Sequence, residues 1–399
     1  MEVEWSDLAK RIRFSEIREL LKYTEKPGII SFAGGLPGPE AFPTDEIAKI
    51  IVDILKNNPS ALQYCRTEGL TKLREQIAEL ATRDGIKAEK ENILITSGAQ
   101  QAIDILLKSF LNPGDGIIIG APTYLAFWQA AEAYGAEVKK AIRVNRNGID
   151  IGLLEDELEK MTKEEKEKQK IFYDVPTFSN PSATEMPEKN RKKLINIAQE
   201  HNLLIFEDDP YSKLRYEGDS LKPVKSFDDS GHVIYIGTFS KTVAPGLRIG
   251  YVIADENVIK KLTIVKQPID LCSNTLGQHI ISCFLEKNLF EPHIEKIREC
   301  YKKKRDVMLK AMDNYFPSDV KWQKPRGGIF NWLTAGHEID SKELLKEALE
   351  RNVAYVPGAA FFSDERRSSS LRVNFSHSKE GEIERGIQIL GELLYERGK

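Results

Sequence analysis

Between residues 91 and 254, short and continuously apolar runs alternate with amphipathic helical patterns, and no other feature restricts the fold of this chain as strongly. "NILITSG", starting at Asn92, reads as a strand, and "AQQAIDILLKSFLNPG" as the helix after it, stopped by Asn-Pro-Gly. "GIIIGAPTY", "AEVKKAIRV", "KIFYDVPTF", "NLLIFEDD", "HVIYIGTF" and "LRIGYVIA" supply further strands, making seven. Between them lie a helix through Ala130, a charged helix from Leu153 to about Lys168, and a helix from near Arg191 to His201. The Glu/Lys run around Lys160 is a solvated helix face. Strands that are apolar on both faces and separated by helices predict an α/β fold with a mostly parallel seven-stranded sheet covered by helices.

With 399 residues the chain exceeds one small core. After about Leu285 the pattern changes: a long charged helix (near Glu291 to Asn314), then "VKWQKPRGGIFNWL" as a hairpin around Gly327-Gly328. A helix from Ser341, the strands "NVAYVPG" and "SLRVNFS", and a C-terminal helix follow, a smaller α+β domain. The expected division is 1–50 as an N-terminal arm and helix belonging to the small domain, 51–285 as the large domain, and 286–399 as the C-terminal small domain.

Charge excludes some functions. Acidic residues number 61 against 58 basic, a net charge of -3, which offers no footprint for nucleic acid or an anionic membrane. No apolar run reaches the ~20 residues a bilayer span needs. Cys65, Cys272, Cys283 and Cys300 lie far apart without CxxC spacing, and the N-terminus lacks a signal-peptide pattern, so a cytoplasmic location is expected. The six histidines are scattered, so no metal site is expected. "GDGIIIG" precedes a strand instead of opening a helix, and so fails as a dinucleotide fingerprint.

The segment richest in chemistry is "YIGTFSKTVAPGLRIGY", where a strand ends in Thr238, Phe239, Ser240 and Lys241, and a Pro-Gly turn delivers Arg248. Open α/β sheets bind ligands at the carboxyl ends of their strands. A lysine there can join covalently to a carbonyl cofactor if it is neutral when it attacks, and an arginine with two hydroxyls suits a phosphate. Taken alone, a surface lysine at a strand end is the simpler reading. "LLIFEDDPY" adds a buried strand ending in Glu207, Asp208 and Asp209, carboxylates that are costly without a cation. The pyridinium nitrogen of pyridoxal phosphate would be such a cation for Asp208, at ~4 kcal/mol, or about three pKa units, for a 4 Å pair at an effective dielectric near 20. Metal ligation or a helix cap stays open for Asp209. In "ITSGAQQAID" a strand runs through Ser97 and Gly98 into a helix, so the amides of Ala99 and Gln100 form an anion site.

Together and in order, "IISFAGGLPGPEAFP", "LQYCRTEGLTKLREQIA", "ITSGAQQAID", "APTYLAF", "FSNPSATEMP", "EDDPY", "GTFSKTVAPGLRIGY", "PRGGIFNW", "VAYVPG" and "LRVNFS" resemble the fold-type-I pyridoxal-phosphate enzymes. Within these the chain resembles the class I/II aminotransferases, and most closely the 2-aminoadipate, kynurenine and multisubstrate subgroup. The resemblance implies pyridoxal 5'-phosphate as cofactor, held covalently by Lys241, which also shuttles the substrate proton. It implies that Asp208 pairs with the ring nitrogen, Asn180 and Tyr211 bond the phenolic oxygen, and Tyr124 stacks on the ring. Ser97, Gly98, Ala99, Gln100, Ser240 and Arg248 would hold the phosphate, with Thr238 beside them. Tyr64 would reach the phosphate of a neighbouring subunit, implying a homodimer with shared active sites.

Arg372 matches the arginine that grips the substrate α-carboxylate, against the bland reading of a surface salt bridge. Gly35 and Asn180 would line the substrate site. Arg18, on an N-terminal helix, would meet a side-chain carboxylate, so that 2-aminoadipate and glutamate, and aromatic or large aliphatic amino acids, become donors to a 2-oxo acid such as 2-oxoglutarate. A β-lyase would use the same lysine and carboxylate. A ligand-sensing regulator needs an added DNA-binding module, and the catalytic motifs begin by about Ile29.

Overall fold

The computed structural model describes residues 3–12, 20, 28–336, 339–364 and 366–397. Its largest sheet contains the seven expected strands: β2 (Ile93–Thr96), β3 (Gly116–Ala121), β4 (Glu137–Asn145), β6 (Gln169–Asp174), β7 (Leu204–Asp209), β8 (Val233–Thr238) and β9 (Gly250–Ile253). An eighth, β5 (Gly148–Ile149), folds back antiparallel on the end of β4 through the Arg146-Asn147 turn. The order is β2-β9-β8-β7-β6-β3-β4-β5, parallel from β8 to β4, with β9 antiparallel to both neighbours.

Side chains alternate between two buried faces, as strands covered on both sides require. Ile117, Ile119, Ile171, Tyr173 and Phe206 enter one apolar core, while Ile118, Phe172 and Ile205 enter another. The chain leaves β3 toward β4 on one side and leaves β6 toward β7 on the other. β3 and β6 are neighbours, so a crevice opens at their carboxyl ends, the switch point where such sheets bind ligands.

A four-stranded antiparallel sheet, β10-β11-β14-β13, consists of Lys321–Trp322, Phe330–Thr334, Ser370–Asn374 and Val356–Pro357. Helices Phe290–Tyr315 and Glu380–Arg397 pack together beside it. The expected strand "NVAYVPG" is two: Val353–Ala354 (β12) pairs in parallel with β1 (Ile30–Ser31), and β13 crosses to the four-stranded sheet. Tyr355, between them, is buried and donates its hydroxyl to the Ser341 carbonyl, so one short run ties two sheets together.

The helix expected from Leu153 to Lys168 is also two, Ile151–Lys160 and Lys163–Lys168. Thr162 causes the break. Its hydroxyl accepts from the Glu165 amide and the Glu165 side chain accepts from the Thr162 amide, a capping box that starts a new helix. No helix among the described residues is long and apolar enough to cross a membrane.

Where β2 and β9 meet, backbones approach closely. A Cβ at Gly250 would lie 2.7 Å from the Gly98 carbonyl carbon and 2.9 Å from the Ala99 nitrogen, both rigid main-chain atoms. Gly250→Ala therefore pushes the two strands apart at the start of helix Ala99–Phe110. We expect a loss of ~1–3 kcal/mol in denaturant unfolding, the range for overpacking; an unchanged midpoint would show that this junction yields without strain.

Candidate active site

The ends of five strands, β2, β3, β6, β7 and β8, deliver most of the polar groups of the crevice. β8 ends at Thr238, and Lys241 follows three residues on, its Nζ donating to the Gly35 carbonyl at 2.6 Å. Burial, with the positive charges of Arg372 and Arg248, holds the Lys241 ammonium down to about 8. A substantial fraction is then neutral near physiological pH, as a nucleophilic amine must be.

β7 presents Asp208, 3% exposed, to the same crevice. Its Oδ2 accepts from the Tyr173 hydroxyl at 2.8 Å, whereas Oδ1 is buried without a hydrogen-bond partner among the described residues. Burial first, and then the neighbouring Asp209 charge, push its pKa up to about 7 against the Tyr173 hydrogen bond. Such a carboxyl suits a cation. Glu207 and Asp209 project to the opposite face. Asp209 accepts from the Ser212 amide and the Tyr235 hydroxyl, so it caps a turn, and no group of three or more metal-ligating side chains occurs among the described residues.

The loop after β6 brings Asn180 to Arg372 of β14: Arg372 Nη1 donates to Asn180 Oδ1 at 2.8 Å, and Nη2 to the Ala33 carbonyl at 2.5 Å. The Arg372 guanidinium is 3% exposed, between the rings of Phe330 (4.2 Å) and Phe361 (5.0 Å). Burial lowers its pKa to about 10, which leaves it charged at neutral pH. No carboxylate pairs with it among the described residues, and its Nε is buried without an acceptor there. The surface-salt-bridge reading of Arg372 is thereby excluded. Tyr211 is buried edge-on to Phe330 (5.9 Å), and burial holds its hydroxyl protonated. Tyr124 starts helix Leu125–Ala133, its hydroxyl 3.4 Å from Gln100 Oε1.

At the other end of the crevice Arg248 Nη2 donates to the Ser97 carbonyl at 2.9 Å. Gly98 (φ +79°) turns the chain into helix Ala99–Phe110, and a Cβ there would lie 2.6 Å from Arg248 Nη2, so only glycine leaves the cradle open. The first amides of that helix lack intrahelical acceptors. Ser240 stands beside the cradle, its hydroxyl receiving the Thr238 hydroxyl at 2.9 Å. Thr238 also accepts from the Ser240 amide, so it orients Ser240 from within the turn. The Ser97 hydroxyl faces Asp270, 3.5 Å away, so its carbonyl is the group turned to Arg248. Behind them Gln101 and the fully buried Lys266 anchor Asp270 at 2.7 Å each.

Gly35 lines the crevice through its carbonyl. Tyr64 is 75% exposed. Arg18 lies outside the described residues. The residues therefore fit a planar cation joined to an aldehyde and a phosphate: an unpaired buried carboxylate oxygen, a depressed lysine, and an open glycine cradle under an arginine.

Four contributors carry no sequence motif that announces them. Phe330 and Phe361 sandwich Arg372, and Tyr173 supports Asp208. Arg191 clamps the Asn180 loop: Nε donates to the Met186 carbonyl (2.9 Å), and Nη2 to the Pro176 carbonyl (3.1 Å) and the Thr177 hydroxyl (2.8 Å). A signal for Arg191 existed, since it occupies the apolar stripe of its helix with Leu194, Ile195 and Ala198.

Residues 33–390 match the model of the family described as aminotransferase class I and II. An aromatic-amino-acid aminotransferase of Thermococcus litoralis is 46% identical over 99% of this chain and 95% of its own. A 2-aminoadipate transaminase of Thermus thermophilus is 36% identical over 98% of each. The crystal structure of a Pyrococcus horikoshii kynurenine aminotransferase, in complex with PMP, superposes with a TM-score of 0.94 at 43% identity, covering 99% of this chain and 98% of that one.

Because the Arg372 charge depresses Lys241, Arg372→Leu should raise the lysine's pKa above about 8. Reductive methylation of the cofactor-free protein with formaldehyde, followed at the Lys241 peptide across pH, should show the midpoint displaced upward. An unmoved midpoint in a folded variant would mean that burial alone sets it.

Proposed function

We propose, for a chain that belongs to the aminotransferase class I and II family, that its donors are 2-aminoadipate, glutamate and aromatic or large aliphatic amino acids, with a 2-oxo acid such as 2-oxoglutarate as acceptor. The activity itself is pyridoxal-phosphate-dependent amino-group transfer. When bound, this cofactor supplies an aldehyde for an amine and a ring that withdraws electrons from the substrate Cα. The observation that carries the reading is Arg372: a buried guanidinium, gripped by two aromatic rings and lacking a carboxylate partner among the described residues, in the same crevice as a depressed lysine.

Each residue then has a task. Lys241 would hold the cofactor through its amine and, as the depressed amine of the crevice, would serve as the base for the substrate Cα proton. Asp208 would balance a protonated ring nitrogen, and Asn180 and Tyr211 would hold the phenolic oxygen. Tyr124 would pack against the ring. Arg248, Ser240 and the amides of Ala99 and Gln100, with Ser97 and Gly98 forming the turn, hold the phosphate. Arg372, with Asn180, takes the α-carboxylate as a planar fork, and Gly35 borders the space for the side chain. The working unit is a homodimer in which Tyr64 completes the neighbour's phosphate site. The exposure of Tyr64, with Leu62 at 68% and Ile264 at 61%, supports that arrangement. Residues 51–285 form the large cofactor-binding domain, and 286–399 the small domain to which the arm 1–50 belongs. Four free cysteines support a cytoplasmic location.

Arg18 reads the side-chain carboxylate of acidic donors. In a panel of donors against 2-oxoglutarate, Arg18→Ala should lose activity with 2-aminoadipate and glutamate while aromatic donors are spared; equal losses would give Arg18 another task. Arg372→Ala should cost ~2–5 kcal/mol in kcat/KM for every donor. A donor supplied alone should convert the cofactor without releasing ammonia, whereas ammonia and pyruvate would identify a β-lyase.

A further inference from the structure

We propose that Tyr173 is a positioning residue for amino-group transfer: its hydroxyl holds Asp208 as an anion with Oδ1 left for the ring nitrogen of pyridoxal phosphate. This rests on the reading of Asp208 given above.

Register places the two groups together. Tyr173 of β6 pairs with Phe206 of β7, so Tyr173, Phe206 and Asp208 share one face of the sheet. The Tyr173 ring is fully buried and stacked on Phe127, centroids 3.7 Å apart at 6°. Phe127 in turn meets Phe206 edge-on at 6.4 Å. Phe127 lies one helical turn beyond Tyr124, so the helix that offers Tyr124 to the ring also clamps Tyr173. With its ring fixed, the hydroxyl donates to Asp208 Oδ2 at 2.8 Å, its one hydrogen-bond partner among the described residues.

The chemistry of that bond runs one way. Burial beside the Asp208 charge holds the Tyr173 phenol protonated, so it donates and Asp208 accepts. Burial and Asp209 favour the neutral acid form of Asp208, and the phenol is the group that opposes them. A donor to a carboxylate favours its anion. Without the bond Asp208 would be protonated over more of the neutral range and could not balance a cationic ring nitrogen. The bond also occupies one carboxylate oxygen and leaves the other for that nitrogen.

Tyr173→Phe keeps the stacked ring and its volume and removes only the O–H. The probe is 4-deoxypyridoxine 5'-phosphate, which has the ring and phosphate but no aldehyde, so Lys241 chemistry does not enter. Its Kd is measured against pH by fluorescence on the cofactor-free, full-length protein, with urea unfolding run in parallel. The wild type should lose affinity as pH falls through about 7, where Asp208 takes up its proton. In the variant this acidic limb should move up by about one pH unit, with a loss of about fivefold at pH 7, approaching tenfold below pH 6. An unmoved limb, or an affinity loss equal at every pH, would reduce Tyr173 to a packing residue and overturn the proposal. If Asp208→Asn binds the probe as well as the wild type does, the reading of Asp208 falls first and the proposal with it.

Discussion

Charge held out of water without a counter-charge is the condition on which this site depends. Among the described residues Arg372 is buried between two rings with no carboxylate partner, Asp208 is buried with one oxygen unbonded, and Lys241 is pressed toward its neutral form. Isolated buried charges are expensive, and a protein keeps them where a ligand completes the balance. A carboxylate-bearing amino acid joined to a phosphorylated, cationic aldehyde supplies each missing partner.

The rest of the fold keeps those groups from relaxing toward one another. β7 and β8 are adjacent and parallel, so Asp208 and Lys241 leave the sheet from fixed neighbouring positions. Arg372 arrives from a separate antiparallel sheet whose β14 is its second-to-last strand in order, flanked on both sides by hydrogen-bonded partners. Asn180 sits on a loop that would be free to move were its two ends not gathered by Arg191 from beneath. Lys266 and Asp270 support the phosphate cradle from its rear. Buried polar side chains of this kind hold loops because each leaves few hydrogen-bonding alternatives.

Much of this was legible in the residues. All seven long runs became strands; for β3, β6, β7 and β8 continuous apolarity between helices has one low-cost solution, a covered parallel sheet, whereas β4 is exposed or half-buried apart from Ile142 and β9 runs antiparallel. Lys241, Asp208 and Arg248 could be picked out because costly groups at strand ends stand out against apolar neighbours. The break at Thr162 was missed because the Glu/Lys periodicity on either side masks a capping box that the threonine itself announces. The split of "NVAYVPG" was hidden for another reason: which edge a short strand joins is settled by long-range pairing, which local pattern does not encode. Tyr173 shows the same limit, since its relation to Asp208 depends on the β6–β7 register.

The account stands or falls on the amine of one side chain. The direct measurement is to load the protein with pyridoxal phosphate, reduce with borohydride, digest, and locate the fixed cofactor by mass spectrometry. The account predicts the label on the peptide carrying Lys241 and on no other. A label fixed to a different lysine, or none fixed at all by a protein that binds the cofactor, would contradict it.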